Sequence, residues 1–152
     1  MSSKKKLLVV EDDADVRLGY NILLRAHNYD VFFAADSISA VSEARRHQPD
    51  LVILDLGLPA GDGFVVLERF GSNVNPSLIP AIMERFGANI DLSLIPVVVV
   101  SGRDVHANRE RALLAGAKAF LQKPWNNDEL LAIIGNLIAK ADKSISQPVV
   151  AA

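Results

Sequence analysis

The chain has 152 residues, half of them hydrophobic and 22% charged, which fits one globular domain with a core of its own. Its net charge of −2 argues against a large basic nucleic-acid surface, and the absence of cysteine removes disulfides and thiolate zinc sites. At the start, MSSKKKLLVVEDD carries an apolar run of only four residues before acid arrives, too short for a secretory core or a membrane span. Lys4–Lys6 are read as solvated rather than as a nucleic-acid arm. The expectation is a cytoplasmic protein with no membrane segment and no direct nucleic-acid partner.

Short apolar runs then alternate with amphipathic stretches along the chain. Leu7–Val10 is followed by DADVRLGYNILLRAH, and Val31–Phe33 by DSISAVSEARRH, where Asp36 or Ser37 can cap a helix. Leu51–Leu54 leads to GDGFVVLERFG. Val97–Val100 leads to DVHANRERALLAG, a helix that Gly116 would end. Phe120–Leu121 leads to NNDELLAIIGNLIAKA. Short β-branched runs between helical periods predict βα units and a parallel sheet. Three of the runs are apolar throughout, as expected of strands covered on both faces. Five such units predict a doubly wound α/β fold with strand order 2-1-3-4-5. After Ala141 the tail DKSISQPVVAA loses its periodicity. The domain is therefore expected to span 1–141, with 142–152 a disordered tail or linker stub.

In an open parallel sheet the functional crevice lies at the carboxyl ends of the strands. Here those ends carry Glu11, Asp12 and Asp13 on the first strand, Asp55 on the third, Ser101 on the fourth and Lys123-Pro124 on the fifth. Carboxylates crowded on one rim repel unless a cation joins them. Hard oxygen donors of this kind suit Mg2+. A lone serine or lysine at a strand end is ordinarily a solvated polar residue; the four rim positions together point to a site.

The stretches LLVVEDDADVR, LVILDLGLPAGDG, VVVVSG and AKAFLQKPW closely resemble the CheY-like receiver domain of two-component response regulators over roughly residues 5–141. The resemblance implies a flavodoxin-like (βα)5 fold. It implies that Asp55 is the phosphoacceptor, with Ser101 and Lys123 beside it as catalytic groups. Mg2+ would be held by Glu11, Asp12, Asp55 and the backbone carbonyl of Gly57. Asp13, one step beyond the acidic pair, is not expected to be a ligand, and Arg17 stands at the family's usual offset from that pair. Ser101 and Phe120 would be the switch residues, and the Lys123–Pro124 bond is cis in relatives. Asp55 would take phosphate from a phosphohistidine on a sensor histidine kinase or a histidine phosphotransfer protein. The readout would fall on the face made by the fourth helix, fifth strand and fifth helix. The aspartyl phosphate would later hydrolyse, which makes the chain a self-resetting switch rather than a turnover enzyme. With no room for an output domain after residue 141, the chain is expected to be a stand-alone receiver or one cut from a longer protein.

One feature lies outside that pattern. Residues 68–83, ERFGSNVNPSLIPAIM, are followed at once by 84–99, ERFGANIDLSLIPVVV, with nine positions identical. Asp55 and Ser101 stand 46 positions apart, and removing one 16-residue copy leaves 30, a spacing like that of the family. A tandem duplication of the end of the third helix, its loop and the start of the fourth strand accounts for this. Gly71, Pro76 and Pro80 interrupt any continuous helix, so the third helix is predicted near 62–71, a second short helix near 79–87 and the fourth strand at 96–101. Val66, Leu67 and Phe70 should face the sheet, and Ile82, Met83 and Phe86 repeat that apolar face. The extra helix is expected to pack beside the third helix or to form a homodimer interface. In a third arrangement the second copy takes the slot and the first bulges out.

Two rival functions are weighed. A pseudo-receiver, working only as a docking or dimerisation module without phosphorylation, is opposed by the intact Glu11, Asp12, Asp55, Ser101 and Lys123. A phosphatase of the haloacid dehalogenase type would need a second aspartate two residues after Asp55, where Gly57 stands. His27, His47 and His106 are read as surface residues away from the rim.

Overall fold

The computed structural model describes residues 3–58, 62–70, 94–102 and 105–146. Ten elements alternate along them: β1 (Lys6–Val10), α1 (Ala14–Ala26), β2 (Asp30–Ala34), α2 (Ser37–His47), β3 (Leu51–Asp55), α3 (Asp62–Phe70), β4 (Val97–Ser101), α4 (Val105–Leu114), β5 (Ala119–Gln122) and α5 (Asn127–Ser146). The five strands form one parallel sheet in the order β2-β1-β3-β4-β5, the order that the sequence pattern predicts.

Alternation along the strands builds two cores, one on each face of the sheet. Leu8, Val10, Val52, Leu54, Val97 and Val99 meet Ala40 and Ala44 of α2, Val66, Leu67 and Phe70 of α3, and Ala112 of α4. The intervening residues Leu7, Val9, Leu51, Ile53, Val98 and Val100 meet Tyr20 and Leu24 of α1 and Leu130, Ile134 and Ile138 of α5. Every residue of β3 and β4 is buried. That explains why these central strands read as unbroken apolar runs ended by a polar residue.

The helices start where local chemistry directs. The Asp13 side chain caps α1 by accepting the amides of Asp15 and Val16 at 2.8 and 3.2 Å. Of the two candidates for α2, Asp36 is the cap: it accepts the Ser39 amide at 2.7 Å within a capping box. Gly63 lies in the first turn of α3, where an added Cβ would stand 2.8 Å from the Leu56 Cα. The absence of a side chain there lets α3 close onto the end of β3. Helix α4 stops at Leu114, and the Gly116 that follows has φ 110°. Helices α3 and α4 are joined by the Arg111 guanidinium, 3.7 Å above the Phe64 ring.

One boundary differs from expectation, and one of the three arrangements of the repeat is settled. Helix α5 runs on to Ser146, so residues 142–146 are helical and not part of a disordered tail. Nothing from 142 to 146 breaks a helix, and Asp142 is tied to Lys5 by a 3.0 Å ion pair; the first breaker is Pro148. Residues 147–152 lie outside the described residues. The buried Phe70 belongs to the first copy of the repeat and ends α3. The arrangement with the second copy in that slot is thereby excluded. The second copy supplies Val97–Val99 of β4. The short helix predicted near 79–87, and any dimer contact it would make, falls outside the described residues. Among the described residues no helix is long and apolar enough to cross a membrane.

Candidate functional site

Register brings the predicted residues to one level. Val10 pairs with Leu54, Asp55 with Val100, and Ser101 with Gln122. The residues that follow β1 and β5, Glu11 and Lys123, therefore arrive beside the last residue of β3. Glu11, Asp12 and Asp55 each place a carboxylate oxygen within 4.8 Å of the others. Lys123 Nζ donates to Asp55 Oδ2 at 3.0 Å and to Glu11 Oε1 at 3.4 Å. Glu11 and Asp55 are buried, at 1% and 7% exposure, while Asp12 is open to solvent. The peptide bond between Lys123 and Pro124 is cis.

Three carboxylates face one ammonium, and the electrostatics register the imbalance. Burial is the main force raising the Glu11 pKa from 4.5 to about 7; the hydrogen bond with Asp55 and its charge add to the rise, and Lys123 opposes it. Burial works against the Lys123 charge, but the hydrogen bond and attraction of Asp55, with those of Glu11, outweigh it and hold its pKa above the ordinary lysine value. A divalent cation would cancel the remaining negative charge, and three hard carboxylate oxygens form a suitable donor set. The residues present thus fit Mg2+. Gly57 donates its amide to Asp55 Oδ1 at 2.8 Å. A Cβ at Gly57 would lie 3.1 Å from that same oxygen, so this glycine leaves one side of the carboxylate uncovered.

The other predicted residues surround this cluster. Ser101 is buried at the end of β4, and its carbonyl accepts the Lys123 amide at 2.9 Å. Phe120 pairs with Val99 in the sheet and packs, half-buried, against the same core. It also lines an open groove with Arg109, Gln122, Pro124, Trp125 and Glu129. His27 and His106 are exposed. His47 is not simply a surface residue, because its ring stacks on Phe32 at 3.7 Å.

Contacts that sequence reading did not anticipate also shape the site. Asp13 is occupied as a helix cap. The Glu11 carboxylate folds back, its Oε2 accepting the Asp12 amide at 2.9 Å. Arg17 Nη1 donates to the Glu11 carbonyl at 2.8 Å. Buried Tyr20 stacks on Trp125 with ring centroids 5.0 Å apart. Burial first, and then the charges of Glu11 and Asp55, push the Tyr20 hydroxyl pKa above its usual value. Spacing marks Tyr20 only as an apolar-face residue, and no sequence signal pairs it with a residue 105 positions away.

The profile of the response regulator receiver domain family matches residues 7–135. The response regulator Rre1 of Synechocystis sp. is 30% identical over 145 residues, covering 95% of this chain and 56% of the relative. The transcriptional regulatory protein KdpE of Mycobacterium tuberculosis is 31% identical over 146 residues, covering 95% and 56%. The chain thus spans about half the length of these curated relatives. A CheY-like receiver domain protein from Methanospirillum hungatei has a similar structure, with a TM-score of 0.72, 25% identity, and coverage of 93% of this chain and 98% of that one. The receiver domain of sensor histidine kinase PA1611 from Pseudomonas aeruginosa, which has a magnesium ion coordinated in its active site cleft, matches with a TM-score of 0.69, 26% identity, and coverage of 90% and 98%. Because some relatives are named as transcriptional regulators, the expectation of no nucleic-acid involvement finds no support among them.

Proposed function

This chain belongs to the response regulator receiver domain family of two-component systems, and on that premise we propose that Asp55 is a phosphoacceptor serving a sensor histidine kinase or a histidine phosphotransfer protein. The observation that carries the reading is the cluster of Glu11, Asp12 and Asp55 with Lys123 bridging two of the three. An Asp55 oxygen attacks the phosphorus of a phosphohistidine; the new O–P bond forms as the N–P bond breaks, and the imidazole leaves with the bonding pair. Lys123 accompanies Asp55 and offers its positive charge to the incoming phosphoryl oxygens. Glu11, Asp12, Asp55 and the Gly57 carbonyl are the groups that would hold Mg2+, which supplies charge neutralisation for phosphoryl transfer when bound.

Phosphorylation adds charge and acceptor oxygens at Asp55. Ser101, one strand over, donates to one of them, and Phe120 turns inward in response. The change is read on the α4–β5–α5 face, where Phe120 already lines a groove. Hydrolysis of the acyl phosphate resets the state, so the chain is a self-resetting switch and not a turnover enzyme. The test is incubation with acetyl phosphate and Mg2+ followed by intact-mass measurement. The expected result is one added phosphoryl group on the parent chain and none on Asp55→Asn. Equal labelling of both, or none on the parent, overturns the assignment.

A further inference from the structure

The turn from β1 into α1 carries two of the three acids, and a set of hydrogen bonds holds it. The Glu11 amide donates to the Ala34 carbonyl at 2.9 Å, which fixes the end of β1 against β2. The Glu11 carboxylate accepts the Asp12 amide, and the Asp13 carboxylate accepts two amides of the first helical turn. The Glu11 carbonyl is the point where strand pairing has ended and the helix has not begun, and Arg17 occupies it at 2.8 Å. Arg17 is itself anchored in α1, its amide donating to the Asp13 carbonyl at 3.0 Å. Its guanidinium therefore ties the helix back across the turn from which the exposed Asp12 projects.

We propose that Arg17 is a positioning residue for the cation site, holding the 11–13 turn so that the Glu11 and Asp12 oxygens stay within reach of Asp55. Arg17 acts through the Glu11 backbone and need not touch the ion. The proposal rests on the reading of the acidic cluster as a Mg2+ pocket. Two physical effects of removing Arg17 have opposite signs, which makes the role testable. Loss of a positive charge near a cation site strengthens cation binding. Loss of the clamp lets the turn loosen and weakens it, as removal of an outer hydrogen-bond partner does at metal sites, by about 10-fold or more.

The experiment is calorimetric titration of the chain with MgCl2, alongside thermal melts in EDTA, for the parent, Arg17→Met and Arg17→Lys. The expected result is an Arg17→Met dissociation constant about 10-fold above that of the parent, with Arg17→Lys, which keeps a donor and the charge, near the parent value. Labelling of Arg17→Met by acetyl phosphate should recover at saturating Mg2+. If Arg17→Met binds Mg2+ as tightly as the parent or more tightly, the clamp is overturned; a lowered melting temperature with unchanged affinity has the same meaning. Absence of Mg2+ binding by the parent chain overturns the pocket reading and the clamp with it.

Discussion

Glu11 has almost no access to water, and its neighbours include two other carboxylates. Its pKa of about 7 lies above the 4.5 of a free glutamate, so the metal-free folded state binds a proton that the unfolded state releases. That contribution to stability is complete below pH 4.5 and is lost as pH rises through about 7. In EDTA, the melting temperature of the parent should therefore fall more steeply across this window than that of Glu11→Gln, which keeps the side-chain volume without the charge. Parallel profiles would show that Glu11 is ionised throughout. Of the residues at this site, Asp55, Lys123, Glu11 and Asp12 were readable from strand-end position and the family resemblance. The clamp from Arg17 and the Tyr20–Trp125 stack were not, because each depends on side-chain direction across elements.

Among the elements, α3 depends most on one small residue. A Cβ at Gly63 would sit 2.8 Å from the Leu56 Cα and 3.1 Å from the Asp55 carbonyl oxygen. Backbone on the other side cannot yield as a flexible side chain can. Gly63→Ala should push α3 outward and destabilise the fold by about 1–3 kcal/mol, measurable by urea denaturation. Because Asp55 and Leu56 are the atoms approached, Mg2+ affinity should fall as well. Helix α5 shows the opposite case, where local pattern misled. The tail beyond Ala141 lost its apolar periodicity yet continues as helix to Ser146. Periodicity records which face is buried and not where a helix ends; the absence of a breaker was the better signal there.

For the whole molecule, the repeat poses a sharp test. Deleting 68–83 joins Leu67 to Glu84, and Glu84-Arg85-Phe86 then stands where Glu68-Arg69-Phe70 stood. The core position of Phe70, fully buried in α3, would be refilled by an identical residue, and β4 would be unchanged. The deletion variant should fold cooperatively and, if Asp55 is the phosphoacceptor proposed above, take phosphate from acetyl phosphate to the same extent as the parent. Light scattering of both proteins asks whether the surplus builds a dimer; the same number of subunits in each would show that it does not. A deletion variant that fails to fold would mean that the core needs residues of the first copy that the second cannot replace.

The order of short apolar runs and amphipathic stretches determined by itself that this chain is a five-unit parallel α/β domain. In a sheet covered on both faces, burial and secondary structure are written in the same residues. The position of acids, serine and lysine directly after those runs likewise placed them together on one rim, since strand ends in such a sheet share one edge. Tertiary structure decided which copy of the repeat fills the α3 slot, because two nearly identical segments offer the same apolar face and only chain connectivity through Asp62 and Gly63 chooses between them. It also decided how the acid turn is held: Arg17 meets the Glu11 carbonyl, and Lys123 meets two carboxylates, through distances that no linear spacing encodes.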